Sequence, residues 1–220
     1  DGIIALKIQD DDNLIGAALV EPGQDILLAT RSGMAVRFGE SDVRSMGRVS
    51  TGVKGLQLRD EDLVVDMVVI GDDPASLMTL CENGYGKRTP SAEYPRIRRG
   101  GKGVIDIKTT DRNGPVVSSK LVSDDNEIMI VTQNGIMIRL PVERISQIGR
   151  NTQGVRVINV DDEDRVIDMT SVVAEDEEVI EDAKAAENGE VDSDGSPDAA
   201  PSDAAEGPDN GQVDSDEEGA

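Results

Sequence analysis

Histidine and tryptophan are absent from this chain, and cysteine occurs once in 220 residues. Without histidine there is neither a His-based catalytic triad nor an imidazole-ligated metal site. The single cysteine, Cys81, excludes an internal disulfide and a cysteine-based zinc cluster. Its setting, Leu77-Met78-Thr79-Leu80-Cys81, reads as a small core residue in an apolar stretch. Phe38, Tyr85 and Tyr94 are the whole aromatic complement. Base stacking is therefore excluded as a general mode of nucleic-acid binding, and the core must be aliphatic with methionine as filler. No apolar run is long enough to span a bilayer and no signal peptide opens the chain, so the expected location is cytoplasmic, without a membrane partner. The first residue is Asp1 rather than methionine, which reads as a piece of a longer protein.

Acid is abundant but unevenly placed. The formal net charge is −23, and 18 of the 45 acidic residues, against one lysine, fall from Ala174 onward. The body keeps 27 acids and 21 bases, a net of about −6. Residues 1–173 are expected to fold as one domain. Residues 174–220, rich in Asp, Glu, Ala, Gly, Ser and Pro, cannot offset their ordering entropy and are expected to form a disordered acidic tail. Tethered beside basic clusters, that tail is expected to weaken polyanion binding by the body.

Within the body the same pattern returns. Short β-branched and aliphatic runs are bounded by turn residues throughout. The first round has strand candidates at 2–8, 14–20, 26–29, 34–38 and 53–58. The second has them at 63–70, 77–80, 85–89 and 104–108, and the third at 116–122, 127–131, 136–140 and 155–160. The run 166–173 reads as the start of a further unit. Ser32-Gly33, Asn83-Gly84 and Asn134-Gly135 supply hairpin chemistry. Gly33, Gly84 and Gly135 recur every 51 residues, as do Arg48, Arg99 and Arg150, and Gly52, Gly103 and Gly154. A period near 50 with four short strands per unit predicts an all-β array of propeller-like blades, about three complete and one partial at each end. One such sheet cannot bury both faces, so neighbours must cover one another.

The chemistry follows from that period. Equivalent loops of a blade array line up along one edge, so Arg48, Arg99 and Arg150 are expected to form a row. Arg44, Lys54, Arg96, Arg98, Lys102, Arg144 and Arg156 would widen it into a basic band. The fullest member is Arg98-Arg99-Gly100-Gly101-Lys102-Gly103, three cations around a Gly-Gly pair. Such a band suits the phosphates of duplex DNA bent around a rim, with little base readout. The alternative is that the recurring arginine braces each blade against its neighbour, and the residues alone leave the two equal. No nucleophile setting, P-loop or metal-spaced cluster occurs. Tyr85 and Tyr94 read as packed tyrosines rather than nucleophiles, and Asp10 to Asp12 and Asp124 to Asn126 as solvated turns. The stretch is expected to be non-catalytic.

Three segments carry a resemblance: 83–89 (Asn-Gly-Tyr-Gly-Lys-Arg-Thr), 99–104 (Arg-Gly-Gly-Lys-Gly-Val) and 149–155 (Gly-Arg-Asn-Thr-Gln-Gly-Val). Together, over residues 2 to about 173, they resemble the family of C-terminal domains found in the A subunit of DNA gyrase, a type IIA topoisomerase. The resemblance implies a β-pinwheel whose blades exchange strands, this chain being the later part of a ring of about six. It also implies that duplex DNA wraps on the basic rim so that the ATP-dependent enzyme introduces negative supercoils. The partners implied are the rest of the gyrase A polypeptide and the gyrase B polypeptide in a heterotetramer, at the bacterial nucleoid. No cofactor is expected in this stretch; ATP and Mg2+ would be used through other domains, which also hold the catalytic tyrosine. Residues 98–103 match the last six positions of the family's box, Gln-Arg-Arg-Gly-Gly-Lys-Gly, with Ile97 where the box has Gln. The related domain of topoisomerase IV and a propeller-like protein-interaction scaffold are the alternatives.

Overall fold

The computed structural model describes residues 2–173. The expected acidic tail, and the competition assigned to it, lie outside the described residues. In chain order the strands are β1 (Asp25–Thr30), β2 (Met34–Gly39), β3 (Val64–Ile70), β4 (Ser76–Cys81), β5 (Tyr85–Pro90) and β6 (Val104–Ile105). They continue with β7 (Val116–Val122), β8 (Asn126–Thr132), β9 (Met137–Pro141), β10 (Val155–Arg156) and β11 (Val166–Val173). Single turns of 3-10 helix at Glu40–Asp42, Ser91–Glu93 and Val142–Arg144 follow β2, β5 and β9 at the same 51-residue interval.

Three hairpins form the centre of three antiparallel sheets. Each is closed by a turn in which Gly33, Gly84 or Gly135 donates its N–H to the carbonyl three residues earlier, at 3.0, 3.1 and 3.0 Å. These glycines have φ of +80, +77 and +83°, while Asn83 and Asn134 do not take positive φ. The hairpin loop is thus three residues long in the first two blades and four in the third, with one left-handed glycine, rather than the two-residue turn in which Asn and Gly are both left-handed.

Strand order shows the exchange. The first blade is β3-β1-β2-β6, the second β7-β4-β5-β10, and the third β11-β8-β9. Each hairpin is flanked on one side by the long strand that opens the next repeat. On the other side, in the first two blades, it is flanked by a two-residue strand from the next repeat's connector. Ala35 pairs with Val104 and Met34 with Ile105; one period on, Gly86 pairs with Val155 and Tyr85 with Arg156.

This exchange corrects several strand expectations. Segments 2–8, 14–20 and 53–58 form no ladder. Segment 14–20 stands at the register position of β3, and segment 53–58 at that of β6. Leu19 is 97% exposed despite its strand-like pattern. The runs 104–108 and 155–160 shorten to two paired residues each, since the connector crosses the neighbouring hairpin only briefly. Residues 166–173, expected to start a further unit, pair with β8 and so stand to the third hairpin as β3 does to the first and β7 to the second.

The core lies between blades. Leu27, Ala29, Ala35, Val68 and Ile70 of the first blade pack with Leu77 and Tyr94 of the second repeat. Met78 and Leu80 of the second blade meet Ile128, Ile130, Val142, Ile145 and Met169 of the third. Full burial of each of the leucine, isoleucine, valine and methionine side chains contributes about 1.5–3 kcal/mol. Cys81 is completely buried in a smaller cluster with Ile107 and Val116.

Candidate nucleic-acid interface

The basic loops are built where the connector leaves its own blade and crosses to the preceding one. In the second repeat the chain passes Ser91–Glu93, meets Arg37 of β2 through the Ile97 N–H (2.8 Å), turns through 98–103 and enters β6. Ile97, which departs from the family box, packs against the apolar cluster of Val36, Phe38 and Leu56. Gly103 has φ +74°, and a Cβ there would fall on the Ala35 carbonyl oxygen. At the equivalent Gly154 (φ +76°) a Cβ would come 2.7 Å from the Gly86 oxygen. Glycine at this position is what lets the connector approach the foreign hairpin closely enough to pair.

Each loop then rests on the connector of the repeat before it. Gly100 N–H donates to the Gly55 oxygen (2.5 Å) and Gln57 N–H to the Gly101 oxygen (2.8 Å). Arg99 donates from Nε to the Asp42 oxygen (2.8 Å) and from Nη1 to the Lys54 oxygen (3.1 Å). One period on, Arg150 Nη1 donates to the Ile105 oxygen at 3.2 Å. Lys54 and Ile105 are repeat equivalents, so these are the same bond made twice. Arg150 also lies over the Tyr94 ring, 5.9 Å from its centroid, and its Nε is buried without a partner.

The ten cations expected in the band therefore divide. Arg44, Arg48, Lys54, Arg96, Arg98, Lys102, Arg144 and Arg156 are exposed, whereas Arg99 and Arg150 are half-buried. Of the recurring arginines, Arg99 and Arg150 make bracing bonds. Arg48 sits in a connector without ladder bonds. A guanidinium carries five N–H donors, so bracing leaves Arg99 donors to spare. Arg96, still 54% exposed, pairs through Nε with Asp25 Oδ1 at 3.1 Å. Arg156 of β10 bonds the Tyr85 hydroxyl (2.7 Å) and Asn159 Oδ1 (3.1 Å). With Arg112 it brackets the Tyr85 ring, the two guanidinium carbons lying 5.2 and 4.6 Å from the centroid. The Arg156 hydrogen bond, and then the Arg112 one, hold the Tyr85 phenol below its ordinary pKa.

A second arginine series joins the blades. Arg37, half-buried against Asp25 (2.7 Å), donates from Nη1 to the Ser91 oxygen at 2.8 Å. Arg88 donates from Nε to the Ile145 oxygen at 2.7 Å and pairs with Asp124. Each guanidinium thus holds the turn of the following repeat. Arg139 occupies the third position and pairs with Glu127 on the same hairpin. The 51-residue spacing of Arg37, Arg88 and Arg139 is as regular as that of the loop arginines and was the available signal.

Antiparallel blades that lend strands to their predecessors define the chain as propeller-like. The sequence profile described as "DNA gyrase C-terminal domain, beta-propeller" matches residues 1–21, 24–70, 75–123 and 126–172. The chain belongs to that family. Among relatives, the A subunit of DNA gyrase from Haloquadratum walsbyi is 45% identical over 166 residues, covering 75% of this chain and 19% of the relative. Its counterpart from Escherichia coli is 44% identical over 171 residues, covering 78% of this chain and 19% of the relative. The chain thus spans about a fifth of these relatives' length. A solved structure of a DNA gyrase A C-terminal domain superposes with a TM-score of 0.72 at 29% identity, covering 78% of this chain and 58% of the other. The C-terminal domain of a DNA topoisomerase IV superposes at 0.74 with 24% identity, covering 84% and 58%, a likeness of fold. Among the described residues no helix is long and apolar enough to cross a membrane.

Proposed function

We propose that this chain binds duplex DNA along its basic loops and forms part of the DNA-wrapping surface of a gyrase A polypeptide. The observation that carries the reading is the repeated seating of the loops. Arg99 on the Lys54 carbonyl and Arg150 on the Ile105 carbonyl fix two loops in the same attitude one blade apart. Arg98 and Lys102 on one loop, and Arg156 beside the next, stay exposed. Exposed cations on loops seated one blade apart suit a phosphate backbone that follows the rim, and contacts of this kind carry little base specificity. The bent DNA would serve negative supercoiling by an assembly of the gyrase A and gyrase B polypeptides at the bacterial nucleoid. In that assembly other domains supply strand cleavage and the ATP and Mg2+ chemistry.

A salt titration of duplex binding by the full chain tests this. If six to ten phosphates are neutralised, affinity falls by about 10³ to 10⁵ between 50 and 200 mM salt. Affinity at low salt no greater than that of a charge-matched acidic protein overturns the reading.

A further inference from the structure

Five buried positions of the second repeat break the apolar rule that its neighbours keep. Thr79 on β4, Lys87 and Thr89 on β5, Tyr94 and Asp106 are all buried. The residues 51 positions earlier are Leu28, Val36, Phe38, Val43 and Gly55, and those 51 later are Ile130, Ile138, Leu140, Ile145 and Val157. The four larger residues of the first set pack in one apolar cluster of the first blade, and all five of the second set in that of the third. The second repeat has an ion pair where its neighbours have hydrocarbon.

The polar groups satisfy one another. Asp106 Oδ1 accepts from the Tyr94 hydroxyl at 2.6 Å and from Lys87 Nζ at 3.2 Å, while Oδ2 accepts from Thr79 Oγ1 at 2.8 Å. Lys87 Nζ also donates to Thr89 Oγ1 at 2.5 Å. The lysine and aspartate side chains are 0% and 1% exposed. A buried ion pair is commonly no more stabilising than a well-packed apolar replacement, so stability alone does not account for it. Its location does suggest a role. Tyr94 and Asp106 stand on either side of the loop that carries Arg96, Arg98, Arg99 and Lys102, and their hydrogen bond closes that loop at its base. Arg150, from the following loop, lies over the Tyr94 ring and bonds the carbonyl of Ile105, the residue before Asp106. Both loops rest on the same buried groups.

We infer that the Lys87–Asp106–Tyr94 network is a positioning device that holds the basic loops 98–103 and 149–154 in fixed relation, making the second repeat the rigid anchor of the interface. The corresponding loop of the first repeat, with Val43 and Gly55 at the two ends, has no such clasp. This inference rests on the DNA-binding reading for its purpose, but the rigidity of the loops can be measured without DNA.

Two variants of the full chain test it. Tyr94→Phe removes one hydroxyl and keeps the ring under Arg150. The second variant carries the third-blade residues at all five positions: Thr79→Ile, Lys87→Ile, Thr89→Leu, Tyr94→Ile and Asp106→Val. Amide exchange at Gly100, Gly101, Gly103, Gly149 and Gly154 is compared with exchange in β4 and β5. Duplex affinity is measured across salt. In both variants exchange in the two loops is expected to rise about tenfold relative to the strands, corresponding to about 1.4 kcal/mol. Duplex affinity is expected to fall about five- to tenfold with the salt slope unchanged, because no phosphate-contacting cation has been lost. Loop exchange that merely follows the strands overturns the positioning role. Wild-type duplex affinity despite loosened loops overturns the anchor role. If wild-type protein fails to bind duplex, the DNA reading falls and the exchange arm alone decides whether the network positions the loops. If the five-residue variant does not fold, Tyr94→Phe decides.

Discussion

Arg88 Nε lies 2.7 Å from the carbonyl oxygen of Ile145, so a buried guanidinium of the second blade holds the turn of the third. Arg37 does the same for the Ser91–Glu93 turn, through the Ser91 oxygen at 2.8 Å. Arg139, in the third blade, is 55% exposed and, among the described residues, pairs within its own hairpin. Of three residues with the same register position, two thus clamp the following repeat and one ties its own hairpin.

Replacing Arg88 with methionine is expected to lower unfolding free energy by about 3 kcal/mol, because charge-assisted bonds are lost and the carbonyls of Ile145 and Glu143, 2.7 and 3.4 Å from the guanidinium, are left without their donor. Arg139→Met should cost less than about 1 kcal/mol, as expected for an exposed pair. Urea denaturation of the two variants measures the difference. Equal costs would contradict the clamp.

Among the loop cations, Arg98→Ala and Lys102→Ala should each reduce the salt dependence of duplex binding by about one ion, with stability changed by less than about 0.5 kcal/mol. Arg99→Ala should reduce stability as well, by about 1–3 kcal/mol, since its bonds to the Asp42 and Lys54 carbonyls are lost. Paired salt titrations and denaturation curves separate the two classes.

Asp62 supplies an acid-sensitive tie. Burial pushes its carboxyl up, but hydrogen bonds from the Ser32 hydroxyl (2.5 Å) and N–H (2.8 Å), with help from Thr30 and Leu63, bring it below the ordinary 3.8. Because the native value is the lower one, the contribution is present above 3.8 and is lost as pH falls through the native value. Asp62→Asn should be destabilised by about 1–2 kcal/mol at pH 7 and converge on wild type in acid. A variant whose deficit persists unchanged at about pH 2 would contradict this.

Cys81 should be a silent thiol. Burial, with Asp106 nearby, pushes it from the ordinary 9.0 up to about 12. Native labelling by a disulfide reagent at about pH 8 should be slower than in urea by about 10³ or more, following local or global opening. Between pH 9 and 12 the unfolded thiol ionises while the native one stays neutral, so stability is lost as pH rises through that interval. Cys81→Ala should remove that part of the alkaline slope. Fast native labelling would place the sulfur outside the core.

The hairpins and the aliphatic core were legible because turn chemistry and alternating patterns are local. Gly33, Gly84 and Gly135 marked all three turns. Partner choice was not legible, since nothing in the two-residue pattern of Val104-Ile105 says that it pairs with Met34 and Ala35 rather than with its own hairpin. Leu14 to Val20 has the composition of a strand but forms no ladder. Lys87 was hidden for a different reason. In Tyr85-Gly86-Lys87-Arg88-Thr89 it reads as a solvated strand residue, and the distant Asp106, with Thr89 two residues on, makes its burial tolerable. For the loop arginines the residues left phosphate contact and bracing equal. The structure gives Arg99 and Arg150 bracing bonds and leaves Arg98 and Lys102 to solvent.

Because β3 and β6 come from the second repeat but complete the first blade, the unit copied along the gene and the unit that packs are out of phase. Excising one 51-residue period would delete a hairpin and also remove flanking strands from the blade before it. The array can therefore gain or lose members only by changes that restitch a junction in two neighbours at once. Such a chain is closer to a woven band than to a string of beads.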